Sequence, residues 1–124
     1  MIVPSVKFSI DVVIPRIIEI GMAEAPKEAC GLVIPDLNYP PDQWVHQLQN
    51  RAENPLNHYK IDGQTLFQIA TDRNHEGDRE WEDVLIWHTH PSGSPTPSDG
   101  DYDAKIPGAK YLVVALPSGQ ATMF

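Results

Sequence analysis

Apolar residues recur at helical spacing near the start of the chain. Ile14, Ile17, Ile18 and Met22 predict an amphipathic helix capped by Ser9 or Asp11 and running to about Glu24. Pro15 fits only its first turn, and Pro26 stops it. Residues 1–9 read as a short edge strand. Cys30 to Ile34 is a continuous apolar run bounded by Pro35 and predicts a core strand. After a polar, proline-rich connection over residues 36–43, the W-V-H-Q-L-Q pattern of residues 44–49 alternates as a half-exposed strand does, with His46 at the surface. Residues 51–59 form a loop in which His58 has no partner at ligand spacing. Asp62 caps a second helix, with Leu66, Phe67, Ile69 and Ala70 on its buried side. The densely charged residues 72–83 read as a solvated helix end and loop. Val84 to Trp87 predicts a buried strand. Residues 101–106 continue a short helix ended by Pro107-Gly108. Tyr111 to Leu116 predicts a central strand, and after the Pro117-Ser118-Gly119 turn, Gln120 to Phe124 forms the last one.

Strands alternating with helices make this an α/β chain, and 124 residues with 41% apolar content suit one domain, residues 1–124. Its abrupt apolar end suggests a domain cut from a longer protein. No apolar run is long enough for a membrane span, and no signal peptide is evident, so no membrane partner is expected. One cysteine, Cys30, excludes an internal disulfide and fits the cytoplasm. The net charge of −8 with no basic cluster makes nucleic acid a poor partner.

Candidate chemistry gathers in residues 84–101, VLIWHTHPSGSPTPSDGD. On a strand, residues i and i+2 share a face, so His88 and His90 lean together and Thr89 points away. Pro91 ends the strand, and residues 92–97 form a turn-rich loop. Ser98 and Asp101 have the S-x-x-D spacing of a helix N-terminal box, which places Asp101 in the first turn. The loop is long enough to return Asp101 to the histidines. Two imidazoles and one carboxylate around an open position match a catalytic zinc site; the same set also occurs in non-haem iron enzymes, where Glu28 and Ser98 would have no obvious place. Taken singly, H-x-H on a strand is more often incidental, and Ser98 with Asp101 is more often only a cap.

Other motifs are absent: His75-Glu76 does not complete HExxH, and the zinc-deaminase pattern is missing. Cys30 reads as a small buried hydrophobe. A cysteine nucleophile would leave Ser98 and Asp101 unexplained. Glu28, at the mouth of the first strand, reads on its own as a solvated loop acid. Glu19 and Glu24 are rivals on the preceding helix.

The run H-T-H-P, five residues, P-S-D-G-D resembles the H-x-H-P-x5-P-S-x-x-D signature of the JAMM (MPN-plus) metalloproteases. Glu28-Ala29-Cys30-Gly31-Leu32 is similar to that family's E-x-C-G-[IL] strand. Similar segments extend over nearly the whole chain, including the leading helix, Asn50 at a strand end and Tyr59-Lys60-Ile61-Asp62. The resemblance implies a mixed, curved sheet flanked by helices, of cytidine-deaminase-like architecture. It implies Zn²⁺ held by His88, His90 and Asp101, Glu28 as general base and then acid, and Ser98 as oxyanion donor. It also implies a protein or peptide substrate with a peptide or isopeptide bond, ubiquitin-like or, as in phage tail-assembly proteins of the K type, a phage tail protein. The chain looks most like that phage group. The non-catalytic MPN-type scaffold module is the alternative within the same fold.

Overall fold

The computed structural model describes residues 8–36, 38–65, 68, 84–91, 93–103, 105 and 109–124. Among them are helix α1 (Ile14–Glu24), a short helix α2 (Asp99–Asp103) and five strands: β1 (Cys30–Val33), β2 (Val45–Leu48), β3 (Leu85–His90), β4 (Lys110–Ala115) and β5 (Ala121–Met123). They form one mixed sheet in the order β2-β1-β3-β4-β5. β1 is antiparallel to both neighbours, β3 runs parallel to β4, and β5 returns antiparallel to β4. This is the expected α/β mixed sheet, with one refinement. The middle strand is β3, which carries the two histidines, and the Tyr111 strand lies beside it.

Alternation along β3 divides the protein. Leu85 and Trp87 face one side, where Val13, Ile17 and Ile20 of the α1 region pack with Val33, Leu112 and Val114. Ile86 faces the other side with Leu32, Ile34, Ala109 and Tyr111. His88 and His90 share the face of Ile86, so the helix and the histidines lie on opposite sides of the sheet. Each aliphatic side chain buried here contributes roughly 1.5–3 kcal/mol.

The amino end of α1 follows the expectation in part. Ser9 Oγ accepts from Asp11 N–H at 3.3 Å, but it caps a 3-10 turn (Ile10–Val12) that precedes the helix proper, and Pro15 lies in the first helical turn. The expected stripe needs one correction. Ile17 is buried, but Met22 is half exposed and Gly21 occupies the contact. The absence of a side chain at Gly21 lets Thr89 and Leu116 approach: a Cβ there would lie 2.8 Å from Thr89 Cγ2. Trp44 also differs, ending a 3-10 turn (Pro41–Trp44) rather than starting the strand. It is buried because its indole N–H donates to the carbonyls of Asp36 (2.8 Å) and Tyr39 (3.0 Å). His46 is half-buried rather than at the surface. Asp62 heads a helical turn at residues 63–65 as expected, its Oδ2 accepting from Thr65 Oγ1 at 2.9 Å. The edge strand expected at the amino end falls mostly on residues 1–7. That stretch, the buried side assigned to Leu66, Phe67, Ile69 and Ala70, the charged residues 72–83 and the helix end at residues 106–108 lie outside the described residues. Among the described residues no helix is long and apolar enough to cross a membrane.

Gly31 makes the centre of the sheet possible. It pairs with Gln47 on β2 and Trp87 on β3, and the Trp87 indole lies across it while donating to the Leu32 carbonyl at 3.2 Å. A Cβ at residue 31 would lie 1.9 Å from the His46 carbonyl oxygen and 2.9 Å from the Trp87 ring. Backbone cannot yield as a flexible side chain can. Gly31→Ala is therefore expected to destabilise by at least about 3 kcal/mol, or to abolish soluble expression, as read by urea unfolding. An unchanged unfolding midpoint would show that the β1–β2 pairing opens freely at this point.

Candidate metal centre

β3 delivers both imidazoles to one point, and α2 brings a carboxylate to meet them. His88 Nε2 and His90 Nε2 lie 3.2 Å apart, and Asp101 Oδ2 is 3.1 Å from the first and 3.3 Å from the second. The expected helix box is what places Asp101. Ser98 N–H donates to Asp101 Oδ2 at 2.9 Å, and Asp101 N–H donates to Ser98 Oγ at 3.1 Å. This reciprocal pair satisfies two backbone donors that the helix leaves open.

The His90 tautomer follows from its neighbours. Its Nδ1 is 2.8 Å from the Ser94 carbonyl, an acceptor, so Nδ1 carries the hydrogen and neutral His90 presents a lone pair at Nε2. His88 is fully buried, and its Nδ1 has no hydrogen-bond partner among the described residues. The Tyr59 ring stacks on it, with centroids 4.2 Å apart and 18° between planes.

Glu28 completes the cluster. It is 6% exposed, and its Oε1 has no hydrogen-bond partner among the described residues. One oxygen of Glu28 and one nitrogen each of His88 and His90 lie within 4.8 Å of one another and could hold a metal ion. The solvated loop acid suggested by the residue alone is thus not what the fold makes of Glu28. Thr89, on the opposite face, helps fix it: Thr89 Oγ1 accepts from Ala29 N–H and Thr89 N–H donates to the Ala29 carbonyl, both at 2.9 Å. The backbone of Glu28 is held further by donation to the Pro55 carbonyl at 2.7 Å and by acceptance from Asn50 Nδ2 at 2.9 Å.

Burial governs the electrostatics. It pushes the Glu28 carboxyl up to about 7; the charge of His90 opposes the rise and that of Asp101 adds to it. Burial would also raise Asp101, but the hydrogen bonds and charge of the histidines and the Ser98 N–H hold its carboxyl well below the usual range. Burial lowers His88 against the pull of Asp101. His90 is raised, first by its hydrogen bond to Asp101, against burial, and then by the Ser94 carbonyl and by Glu28. Asp101 pulls both imidazoles up, and the deeper burial of His88 is what sets the two apart. Cys30 is buried against the Leu48 carbonyl (3.8 Å), and burial with the nearby Glu28 and Glu24 pushes its thiol up to about 12. It is inert packing, as expected.

The donor set fits a small divalent ion. In a tetrahedral site with bonds of about 2.0–2.1 Å to nitrogen and oxygen, donor atoms stand about 3.3 Å apart. The three observed separations, 3.1 to 3.3 Å, are of that size. Glu28 lies in the same cluster, with an oxygen within 4.8 Å of a nitrogen of each histidine. Of the other residues that matter here, Thr89 lies on the opposite face as strand alternation predicts, and Tyr59 enters the sequence reading only within the family-like Tyr59-Lys60-Ile61-Asp62 segment.

A buried carboxyl held near 7 binds its proton more tightly in the folded state than in the unfolded one. Its favourable contribution is complete below the ordinary carboxyl range and is lost as pH rises through about 7. In metal-free protein, Glu28→Gln is therefore expected to gain roughly 2–3 kcal/mol of unfolding free energy at about pH 8 and little at about pH 4. Urea unfolding at both pH values checks this; an equal effect at both would mean that Glu28 is not desolvated.

Residues 11–123 match the family described as prokaryotic homologs of the JAB domain. The desampylase of Haloferax volcanii is 30% identical over 100 residues, which cover 80% of this chain and 69% of that protein. A protein of Desulfitobacterium hafniense with a known solution structure superposes with a TM-score of 0.64 at 23% identity, over 90% of this chain and 76% of that one, a likeness of fold. With that match running over nearly its whole length, the chain belongs to the prokaryotic JAB-domain family.

Proposed function

We propose that this protein is a zinc-dependent hydrolase of peptide or isopeptide bonds in a protein substrate. The observation that carries the reading is the convergence of His88 Nε2, His90 Nε2 and Asp101 Oδ2 to within 3.3 Å of one another, with the buried Glu28 beside them. His88, His90 and Asp101 would hold the ion, and Glu28 stays free for proton transfer. Zinc bound by three protein ligands supplies Lewis acidity, bringing the pKa of its water down to about 7 and polarising a carbonyl.

The remaining steps belong to the chain's own residues. Glu28 takes the proton of the attacking water as oxygen adds to the scissile carbonyl carbon. The same carboxyl then gives that proton to the leaving nitrogen as the C–N bond breaks. A base that must also serve as acid works best with a pKa near the operating pH, and burial moves Glu28 in that direction. Ser98 Oγ already accepts from Asp101 N–H, which leaves its own O–H to donate to the oxyanion of the substrate. Ser98 is exposed, as a group that must meet incoming substrate needs to be.

The desampylase likeness favours a ubiquitin-like conjugate or fusion as substrate. The phage tail protein reading rests on the sequence resemblance alone. The test is hydrolysis of a ubiquitin-like protein fused or conjugated through its carboxyl terminus. Cleavage is expected from zinc-loaded protein, with loss on chelation, restoration by zinc and loss in Glu28→Gln with metal retained. Metal analysis of protein purified without added metal is expected to find zinc. Iron there, or intact substrate with zinc in place, would overturn the proposal in favour of an iron enzyme or a scaffold module.

Ser98→Ala is expected to retain zinc and to lose about 10²–10³ in kcat. It should also lose about 1 kcal/mol of stability from the missing cap. Full turnover in that variant would remove Ser98 from the oxyanion role.

A further inference from the structure

Residues 50–60 bring a second layer of order to the site. Asn50 folds this loop onto the site through its amide. Its Nδ2 donates to the carbonyls of His58 and Glu28, both at 2.9 Å, and its Oδ1 accepts from Ala52 N–H at 3.0 Å and Lys60 N–H at 3.1 Å. An amide side chain has two N–H donors and one oxygen with two lone pairs, so all of its hydrogen-bonding capacity is in use. The Arg51 N–H closes the loop base by donating to the Lys60 carbonyl at 2.8 Å. Within this frame, Pro55 O receives Glu28 N–H and the Tyr59 ring lies flat on His88.

The two histidines are held in different ways. A metal-binding histidine ordinarily donates its second ring N–H to a carboxylate, carbonyl or water, which fixes the plane of its ring. His90 does this through Nδ1 and Ser94 O. His88 Nδ1 is buried with no protein partner among the described residues. Its ring is held by faces and edges instead: Tyr59 stacked at 4.2 Å, and Phe124 edge-on at 6.3 Å. Stacked rings of this kind attract beyond their mere burial.

We infer that Asn50 and Tyr59 act together as positioning residues for the metal centre. Tyr59 sets the plane of His88 by stacking, in place of the missing hydrogen bond. Asn50 ties the loop that carries Tyr59 to the Glu28 carbonyl, so one amide registers a metal ligand against the general base. The inference rests on the reading of His88 as a ligand. It assigns the Tyr59 contribution to the ring face and none to the hydroxyl.

The experiment measures the zinc dissociation constant of the full chain by competition with a chromophoric chelator. The visible spectrum of the cobalt(II)-loaded protein is recorded alongside, at a temperature where circular dichroism shows every variant folded. Tyr59→Leu, which keeps bulk and loses the ring, is expected to bind zinc roughly 10–100-fold more weakly and to alter the cobalt spectrum. Tyr59→Phe is expected to bind as wild type does. Asn50→Asp, which keeps the acceptor and loses both donors, is expected to weaken zinc by about tenfold. Wild-type affinity in Tyr59→Leu, or an equal loss in Tyr59→Phe, overturns the inference alone. If Tyr59→Leu does not fold, Asn50→Asp decides, and unchanged zinc affinity there overturns it. A wild-type protein that binds neither zinc nor cobalt overturns the metal reading and the inference with it.

Discussion

One oxygen atom, Asp101 Oδ2, binds the site together. It accepts from the Ser98 N–H and lies within 3.3 Å of both imidazole Nε2 atoms, joining the end of a loop to the middle strand of the sheet. Few other arrangements would make so buried an imidazole as His88 acceptable. A polar ring without a partner costs free energy in an apolar interior, and a carboxylate or a cation beside it offsets that cost. The same carboxylate cannot serve Glu28, which is left to absorb its own desolvation. Asp101 and Glu28 are thus two acids in one cluster pushed in opposite directions, one held low by its partners and the other raised by burial. Opposed environments of this kind are what the proton transfer proposed for Glu28 would draw on.

Much of this was legible in the chain because the relevant signals are local. H-x-H on a strand puts two rings on one face by alternation alone, and S-x-x-D marks both a helix start and the position of its acid. Glu28 was of another kind. Its burial depends on Pro55 and Asn50, more than twenty residues away, and on Thr89 across the sheet. No local pattern announces such a closure, and only the family resemblance pointed to Glu28. Tyr59 is named only as part of a family-like segment for the same reason, since an aromatic residue in a loop has no period to betray its partner. Met22 was assigned to the core because it continues an apolar stripe. The actual contact is Gly21, whose usefulness lies in lacking the side chain that a hydrophobic pattern detects.

The division of labour across the sheet is equally plain. On the α1 side, Trp87 fills the space above Gly31, and Gly21 admits Thr89 and Leu116, so side chains and backbone interlock closely. On the other side the strands present histidines, and the covering is supplied by the loop of residues 50–60, by Phe124 and by α2. Both faces carry a buried apolar cluster, but the histidines lie only on the face away from α1, and Thr89 joins β3 to the segment of Glu28 through its two bonds to Ala29.

The pairing of β3 has a mechanical corollary. Because His88 and His90 sit on one strand clamped between an antiparallel and a parallel neighbour, the spacing of their backbone anchors is a fixed gauge. The carboxylates come from outside that clamp, Glu28 ahead of β1 and Asp101 from a helix of five residues. The backbone of the two imidazoles is thus tethered more tightly than that of the two acids.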